Sequence, residues 1–321
     1  MIKKFKELVI FIIDITIFPL VLISGLLLKK IREIGVGRLK LSRYILLRIG
    51  VFPIRDHYYE PQFKFDSKRQ YKDRNRNLSG LKLHDIKQLA LLKQFKFAVE
   101  LLQFPVEKSR NTEFYYNNGA FEYGDSEYWY QLIRTIKPKR IFEIGSGNST
   151  LMAIKAIHAN KGDDPNYKCK HICIEPYEKP WLEKIGVELY RKKVEEVPTS
   201  FFSELEENDI LFIDSSHIIR PEGDVLYEYL ELLPKLNKGV IVHIHDIFTP
   251  KNYPKEWVVS DVRFWNEQYL VEAFLSNNND WEIIGALNYL KNNYFNDLKE
   301  ACPKITQETE PGSLYIKKIN S

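Results

Sequence analysis

From Tyr128 onward the chain alternates short apolar runs with helix-patterned segments, and this alternation limits the fold more than any other feature. A run of four or five β-branched and aromatic residues is too short for a buried helix and right for a strand covered on both faces. Helical segments between such runs make successive strands parallel, so the expectation is an α/β sheet of βαβ units. The runs are Arg140 to Ile144, His171 to Ile174, a weaker Val187 to Arg191, Ile210 to Ile213 and Val240 to Ile244. Ser149 to Ala159 reads as the first crossover helix, and Trp281 to Ala286 with Leu314 to Ile319 as a terminal pair. In such sheets ligands bind beyond the carboxyl ends of the strands, so the residues just after each run carry the functional weight.

The first of these turns is Glu143-Ile144-Gly145-Ser146-Gly147-Asn148-Ser149-Thr150, a glycine-rich loop joining strand to helix. Glycines there admit positive φ and close approach of a ligand. A dinucleotide fingerprint wants a third glycine three residues after Gly147; the chain has Thr150, which disfavours NAD. Glu143 would repel a pyrophosphate but suits a cationic ligand such as the ammonium and sulfonium of S-adenosylmethionine. The second run ends in Glu175, where a carboxylate can accept both hydroxyls of a ribose. Glu143, Gly145, Ser146, Gly147, Ser149, Thr150, Glu175 and Asp214 are therefore the candidate cofactor residues.

The fourth run ends in Asp214-Ser215-Ser216-His217 and the fifth in His243-Ile244-His245-Asp246. Ionisable groups gathered at adjacent strand ends are costly unless solvated, ligating or catalytic. Methyl transfer to oxygen needs a hydroxyl stripped of its proton and held in line with the sulfonium carbon. His217 or His245 can act as that base beside Asp214; alternatively Asp214, His245 and Asp246 hold a divalent metal that lowers the hydroxyl's pKa. His243 reads as a core histidine. Trp257, Trp265, Asn266 and Tyr269, with the loop His57 to Pro61, are the candidates for acceptor recognition.

Taken in order, IFEIGSGNST, ICIEP, ILFIDSSH and GVIVHIHDIF resemble the class I methyltransferases of the Methyltransf_24 group, over about Asn118 to Ile319. The resemblance implies a Rossmann-like sheet of seven strands with an antiparallel last hairpin. It also implies S-adenosylmethionine around Glu143, Gly145, Gly147 and Glu175, and an acceptor above Asp214 and His245. Relatives include sugar and small-molecule O-methyltransferases, some metal-dependent; many of the latter end the fifth strand in two acids or Asp-Asn, where this chain has His245-Asp246.

Ahead of this domain, Leu8 to Leu28 is an apolar stretch of about the ~20 residues that cross a hydrocarbon core, interrupted by Asp14 and Pro19. Lys3, Lys4 and Lys6 precede it and the longer basic series from Lys29 to Arg48 follows, which places the catalytic part on the cytoplasmic side. The expected organisation is a membrane-associated segment over residues 1–52, a linker with an amphipathic helix from Leu81 to Phe104 over residues 53–117, and the methyltransferase domain over 118–321. A net charge of +4, from 47 basic and 43 acidic residues, gives no ground for a nucleic-acid partner; a small-molecule or glycan acceptor is expected. Cys169, Cys173 and Cys302 form no metal-type pair and read as free thiols.

Overall fold

The computed structural model describes residues 2–61, 75–110, 112–177 and 179–320, and forms two compact units, Met1–Tyr71 and Lys72–Ser321. In the first unit the apolar stretch is helical throughout as α1 (Ile2–Ile34), with its large apolar side chains from Leu8 to Leu27 exposed. A second helix, α2 (Lys40–Ile49), stops at Gly50, whose φ of 74° lets its N–H close on the Leu47 carbonyl. Arg32 makes a bidentate pair with Glu60, at 2.7 and 2.8 Å. Residues 62–74 of the polar linker expected from Arg55 to Gly80 lie outside the described residues.

The second unit begins with α3 (Asp85–Leu92) and α4 (Ala98–Leu101), where the periodicity predicts one helix from Leu81 to Phe104. Tertiary hydrogen bonds win over local pattern: the Gln131 side chain takes the Phe97 N–H at 3.1 Å, and Gln88 takes that of Ala286 at 2.7 Å. Leu92, Phe95 and Leu101 still reach the core, from two short pieces instead of one. Next come α5 (Asp125–Ile136), β1 (Arg140–Ile144), α6 (Asn148–Asp163), β2 (Lys170–Ile174), β3 (Glu188–Tyr190) and β4 (Ile210–Ile213). A helix α7 (Asp224–Leu226) runs on through a π-helical stretch, Tyr227–Leu232. The chain closes with β5 (Ile241–Ile244), α8 (Glu267–Leu275), β6 (Trp281–Ala286), α9 (Leu287–Asn293), α10 (Phe295–Ala301) and β7 (Leu314–Lys318).

The seven strands pair in the order β3-β2-β1-β4-β5-β7-β6, all parallel except β7, which runs antiparallel to both neighbours. Register matters most here, because Ile144 pairs with Ile174 and with Ile213, and Ile213 with Ile244. Four strands thus end level, and the next residues (Gly145, Glu175, Asp214, His245) form one row along the mouth of the sheet. Asp209 helps fix that register: its carboxylate accepts the N–H groups of Lys139, Arg140 and Glu206 at 3.1, 2.8 and 2.9 Å. One face of the sheet packs on α5 and α6 through Trp129, Met152 and Phe212, and the other on α7 and α8 through Phe142, Ile213, Tyr229 and Val271.

Candidate active site

At the strand-end row the backbone of Gly145 has φ of 76°, and a Cβ there would collide with the Asp214 carbonyl oxygen. Only glycine lets β1 and β4 close this tightly. Beside it lies a cavity of about 380 Å³ lined by Gly145, Glu175, Tyr177, Asp214, Ser215 and Arg220 among others. The Glu175 carboxylate accepts the N–H of Ser146 at 3.3 Å and of Tyr177 at 3.0 Å, tying the glycine loop to the turn after β2.

Glu143, Ser149 and Thr150 correct the expectation. Alternation along β1 turns Glu143 away from this cavity and under the start of α6, fully buried. There its carboxylate accepts the hydroxyls of Ser149 at 3.0 Å and Thr150 at 2.7 Å and meets His171 Nε2 at 2.5 Å. All three side chains are occupied with one another and hold the loop from beneath, so they are scaffold. Gly147 starts α6, and Ser146 is buried with a hydroxyl that has no hydrogen-bond partner among the described residues.

The ionisable groups after β4 and β5 converge as expected, in a different pairing. Nε2 of His217 lies 3.2 Å from Asp214 and 3.6 Å from Asp246, and these three residues offer ligand atoms all within 4.8 Å of one another. His217 therefore takes the place expected for His245 in the candidate metal set. The reason is Glu267, at the start of α8: one carboxylate oxygen meets His217 Nδ1 at 2.7 Å and the other accepts the Tyr229 hydroxyl at 2.6 Å, aiming Nε2 at the two aspartates. A carboxylate behind a histidine that faces two aspartates is a donor set that fits a divalent cation. His217 and Asp246 both adopt positive φ, 59° and 58°, local strain retained where side chains must be aimed. Trp265 packs its ring 4.3 Å from that of His217 and so serves the site from behind.

His245 stands next to this cluster, its Nδ1 3.5 Å from Asp214 and 3.7 Å from Asp246, at distances too long for hydrogen bonds. Burial works to lower the two imidazoles, but for His217 hydrogen bonds with Asp214 and Glu267 outweigh it and hold the ring well above its ordinary range. For His245 the charges of Asp246 and Asp214 do the same, to about 10. For Asp214 burial works to raise the carboxyl, but the His245 charge and the contact with His217 outweigh it and hold the group well below the carboxylate range. His243, by contrast, is enclosed by Trp129, Phe212 and Tyr315, and burial followed by the His245 charge pushes it well below its usual value. It is a core residue, bonded through Nε2 to Ser313 at 2.8 Å.

On the other side of His245 and Asp246 a second cavity, of about 390 Å³, is lined also by Glu122, Tyr123, Asp125, Phe248, Trp257, Glu308 and Glu310. Asp125 was not legible as a site residue. It opens α5, accepts the Gly312 N–H, and burial raises its carboxyl to about 6. Of the residues named for acceptor recognition, Trp257 lines this cavity, whereas Asn266 caps the Ile219 N–H at 2.6 Å and Tyr269 faces Arg76. The His57 to Pro61 loop belongs to the N-terminal unit, where Glu60 is paired with Arg32.

The sequence pattern of a methyltransferase domain family, Methyltransf_24, matches residues 142–247, which is β1 through the end of β5. An uncharacterized protein of Archaeoglobus fulgidus is 31% identical over 174 residues, covering 50% of this chain and 76% of that protein. Among solved structures, the plantazolicin methyltransferase BpumL, crystallised with a triazolic desmethylPZN analog and SAH, aligns over 74% of this chain and 100% of its own. At 14% identity and a TM-score of 0.38 that likeness is too distant to inform the site. With the glycine loop, the level strand ends and the matched span coinciding, residues 142–247 form the core of a class I S-adenosylmethionine-dependent methyltransferase domain.

Proposed function

We propose that this protein is a membrane-associated O-methyltransferase that transfers the methyl group of S-adenosylmethionine to a hydroxyl of a small-molecule or glycan acceptor, on the cytoplasmic side. The observation that carries the reading is the placement of two cavities on either side of Asp214, His245 and Asp246. The first, with Gly145 at its floor and Glu175 at the position for a ribose diol, suits the cofactor. The second suits the acceptor. Among the described residues its wall combines Tyr123, Phe248 and Trp257 with Thr306, Thr309 and several carboxylates and includes no Lys or Arg, which favours a neutral hydroxylated ring over an anionic group.

In the reaction the acceptor oxygen attacks the methyl carbon opposite the sulfonium, the carbon–sulfur bond breaks to a neutral thioether, and the hydroxyl proton passes to a base. His245 is the candidate base: it lines the second cavity and its Nδ1 makes no hydrogen bond among the described residues, whereas both nitrogens of His217 are paired with carboxylates. Because Asp246 and Asp214 hold its pKa up at about 10, it accepts the proton only in its neutral form, so turnover should rise with pH toward that value. Asp214 and Asp246 stabilise the positive charge His245 acquires. A divalent cation held by Asp214, His217 and Asp246, optional to this reading, would lower the pKa of the acceptor hydroxyl.

Calorimetric titration of the protein with S-adenosylhomocysteine, with and without divalent metal, tests the cofactor half. Glu175→Ala is expected to weaken binding roughly 10- to 100-fold through loss of charge-assisted hydrogen bonds. A folded wild type that binds nothing with or without metal would overturn the assignment of the first cavity. For the acceptor half, a screen begins with neutral sugars, in which His245→Gln should abolish turnover and leave cofactor affinity within about twofold; these magnitudes assume loss of one proton acceptor.

A further inference from the structure

The acids of the cofactor cavity, Glu175, Glu195, Asp214 and Asp224, suit the hydroxyl and cationic parts of S-adenosylmethionine. Its one anionic group, the α-carboxylate of the amino-acid end, needs a cation or a set of N–H donors. Lys193 and Arg220 also line the cavity, but Lys193 follows β3 at the sheet edge, and Arg220 packs over Gly223 beside Asp224. The glycine loop has a cation of its own in Lys179.

Lys179 precedes the short helical turn Pro180–Lys184 in a left-handed backbone conformation, φ 58°. Its carbonyl accepts the Leu182 N–H at 3.0 Å and the Arg191 guanidinium at 3.4 Å, so the stem is anchored while the side chain reaches across to β1. The ammonium lies over the glycine loop: a Cβ built on Gly147 would sit 2.6 Å from Lys179 Nζ. Gly147 has an extended φ that any residue adopts, so the crowding by Lys179 and not the backbone angle is what favours glycine there. Among the described residues no hydrogen bond or ion pair engages this ammonium. Directly below it α6 begins, a 16-residue helix whose first N–H groups and dipole attract an anion. At the same place the Ser146 hydroxyl is buried, with 6% of the residue exposed, and has no partner. A buried orphan hydroxyl, an uncommitted ammonium and a helix N-terminus together describe an anion site.

We propose that Lys179, with Ser146 and the N-terminus of α6, binds the α-carboxylate of the cofactor's amino-acid end. The inference rests on the proposed cofactor cavity and deepens that reading: Glu175 selects the ribose at one end of the ligand and Lys179 the carboxylate at the other. Lys179 is a positioning residue, because fixing the carboxylate fixes the sulfonium relative to His245.

The test compares two ligands on the full-length chain in detergent micelles by calorimetry. S-adenosylhomocysteine carries the amino-acid end, whereas methylthioadenosine keeps the adenosine and thioether and lacks it. Lys179→Ala is expected to weaken S-adenosylhomocysteine roughly 10- to 100-fold, as for a lost charge-assisted bond, with methylthioadenosine within about twofold of wild type. Lys179→Arg should restore most of the loss. Unchanged S-adenosylhomocysteine affinity in Lys179→Ala overturns the proposal, and so does an equal loss for both ligands, which would mean that Lys179 only supports the loop. A wild type that binds neither ligand overturns the cofactor reading itself, and this proposal with it.

Discussion

Gly145 and His243 show how single residues divide between site and scaffold. At Gly145 a methyl group meets the Asp214 carbonyl oxygen and a backbone angle that L-residues avoid, so Gly145→Ala must push β1 and β4 apart at the cavity. We expect a loss of about 2–4 kcal/mol in urea unfolding together with loss of S-adenosylhomocysteine binding. His243 is neutral in the fold because burial and His245 depress it, while in the unfolded chain it titrates near the ordinary histidine value of 6.5. Below that pH the unfolded state binds the extra proton, so stability from this group is present above 6.5 and is lost as pH falls. His243→Phe, similar in volume and without a titrating group, should flatten the acid side of a stability–pH profile by at most about 1.4 kcal/mol per pH unit. An unaltered slope would mean that His243 is protonated in the fold. The sequence shows that acids and histidines gather at strand ends, but not which face each takes. Glu143 reads as a ligand until α6 is seen to cover it, and Asp125, Lys179 and Glu267 come from loops and helix starts that no strand pattern marks.

The strands were the readable elements. Runs at Arg140, Ile210 and Trp281 match the observed strands to the residue, since both faces of the sheet are buried and so demand mostly apolar sequence, with Glu143 and Glu282 as interior exceptions. Helix α5 was not legible for the complementary reason. Tyr128, Trp129, Leu132, Ile133 and Ile136 recur at helical spacing, but the helix is buried nearly all round, and its polar residues Asp125, Glu127, Gln131 and Arg134 take partners from distant segments that the sequence does not show. Register is likewise a tertiary property, and Asp209 is its clearest determinant. Asp209→Ala leaves the N–H groups of Lys139, Arg140 and Glu206 without their acceptor and leaves the Arg140 guanidinium with Glu206 alone of its two carboxylates. We expect a cost of about 2–4 kcal/mol, read as a lower urea midpoint, with cofactor affinity falling in parallel because the row of strand ends depends on the same pairing. Asp209→Asn keeps one acceptor oxygen and should recover part of it.

On the scale of the whole molecule the question is why an enzyme fold of this kind carries α1. From Leu8 to Leu28 the helix is about 30 Å long at ~1.5 Å per residue, close to the thickness of a hydrocarbon core. Asp14 opposes insertion by about 3 kcal/mol, but each of the many Leu, Ile, Phe and Val residues around it favours insertion by roughly 0.3–0.6 kcal/mol, so insertion of the apolar series is the expected outcome on the proposed reading. Pro19 removes one helical N–H without ending α1. A helix that served only to join soluble copies would have no need of a basic flank on its C-terminal side. Lys29, Lys30, Arg32, Arg38, Lys40, Arg43 and Arg48 form such a flank, and α2 places Leu41, Ile45 and Ile49 four residues apart along one exposed stripe, suited to a headgroup surface. The full chain should therefore remain in the membrane pellet after alkaline carbonate washing, and a chain beginning after residue 71 should not. That shortened chain should bind S-adenosylhomocysteine within about twofold of the full chain, because all the described residues that line the cofactor cavity belong to the second unit. A full chain released by carbonate, with both forms equally active on a soluble acceptor, would favour an oligomerisation helix over an anchor. A full chain retained in the membrane and active only on an acceptor presented there would tie the anchor to substrate delivery.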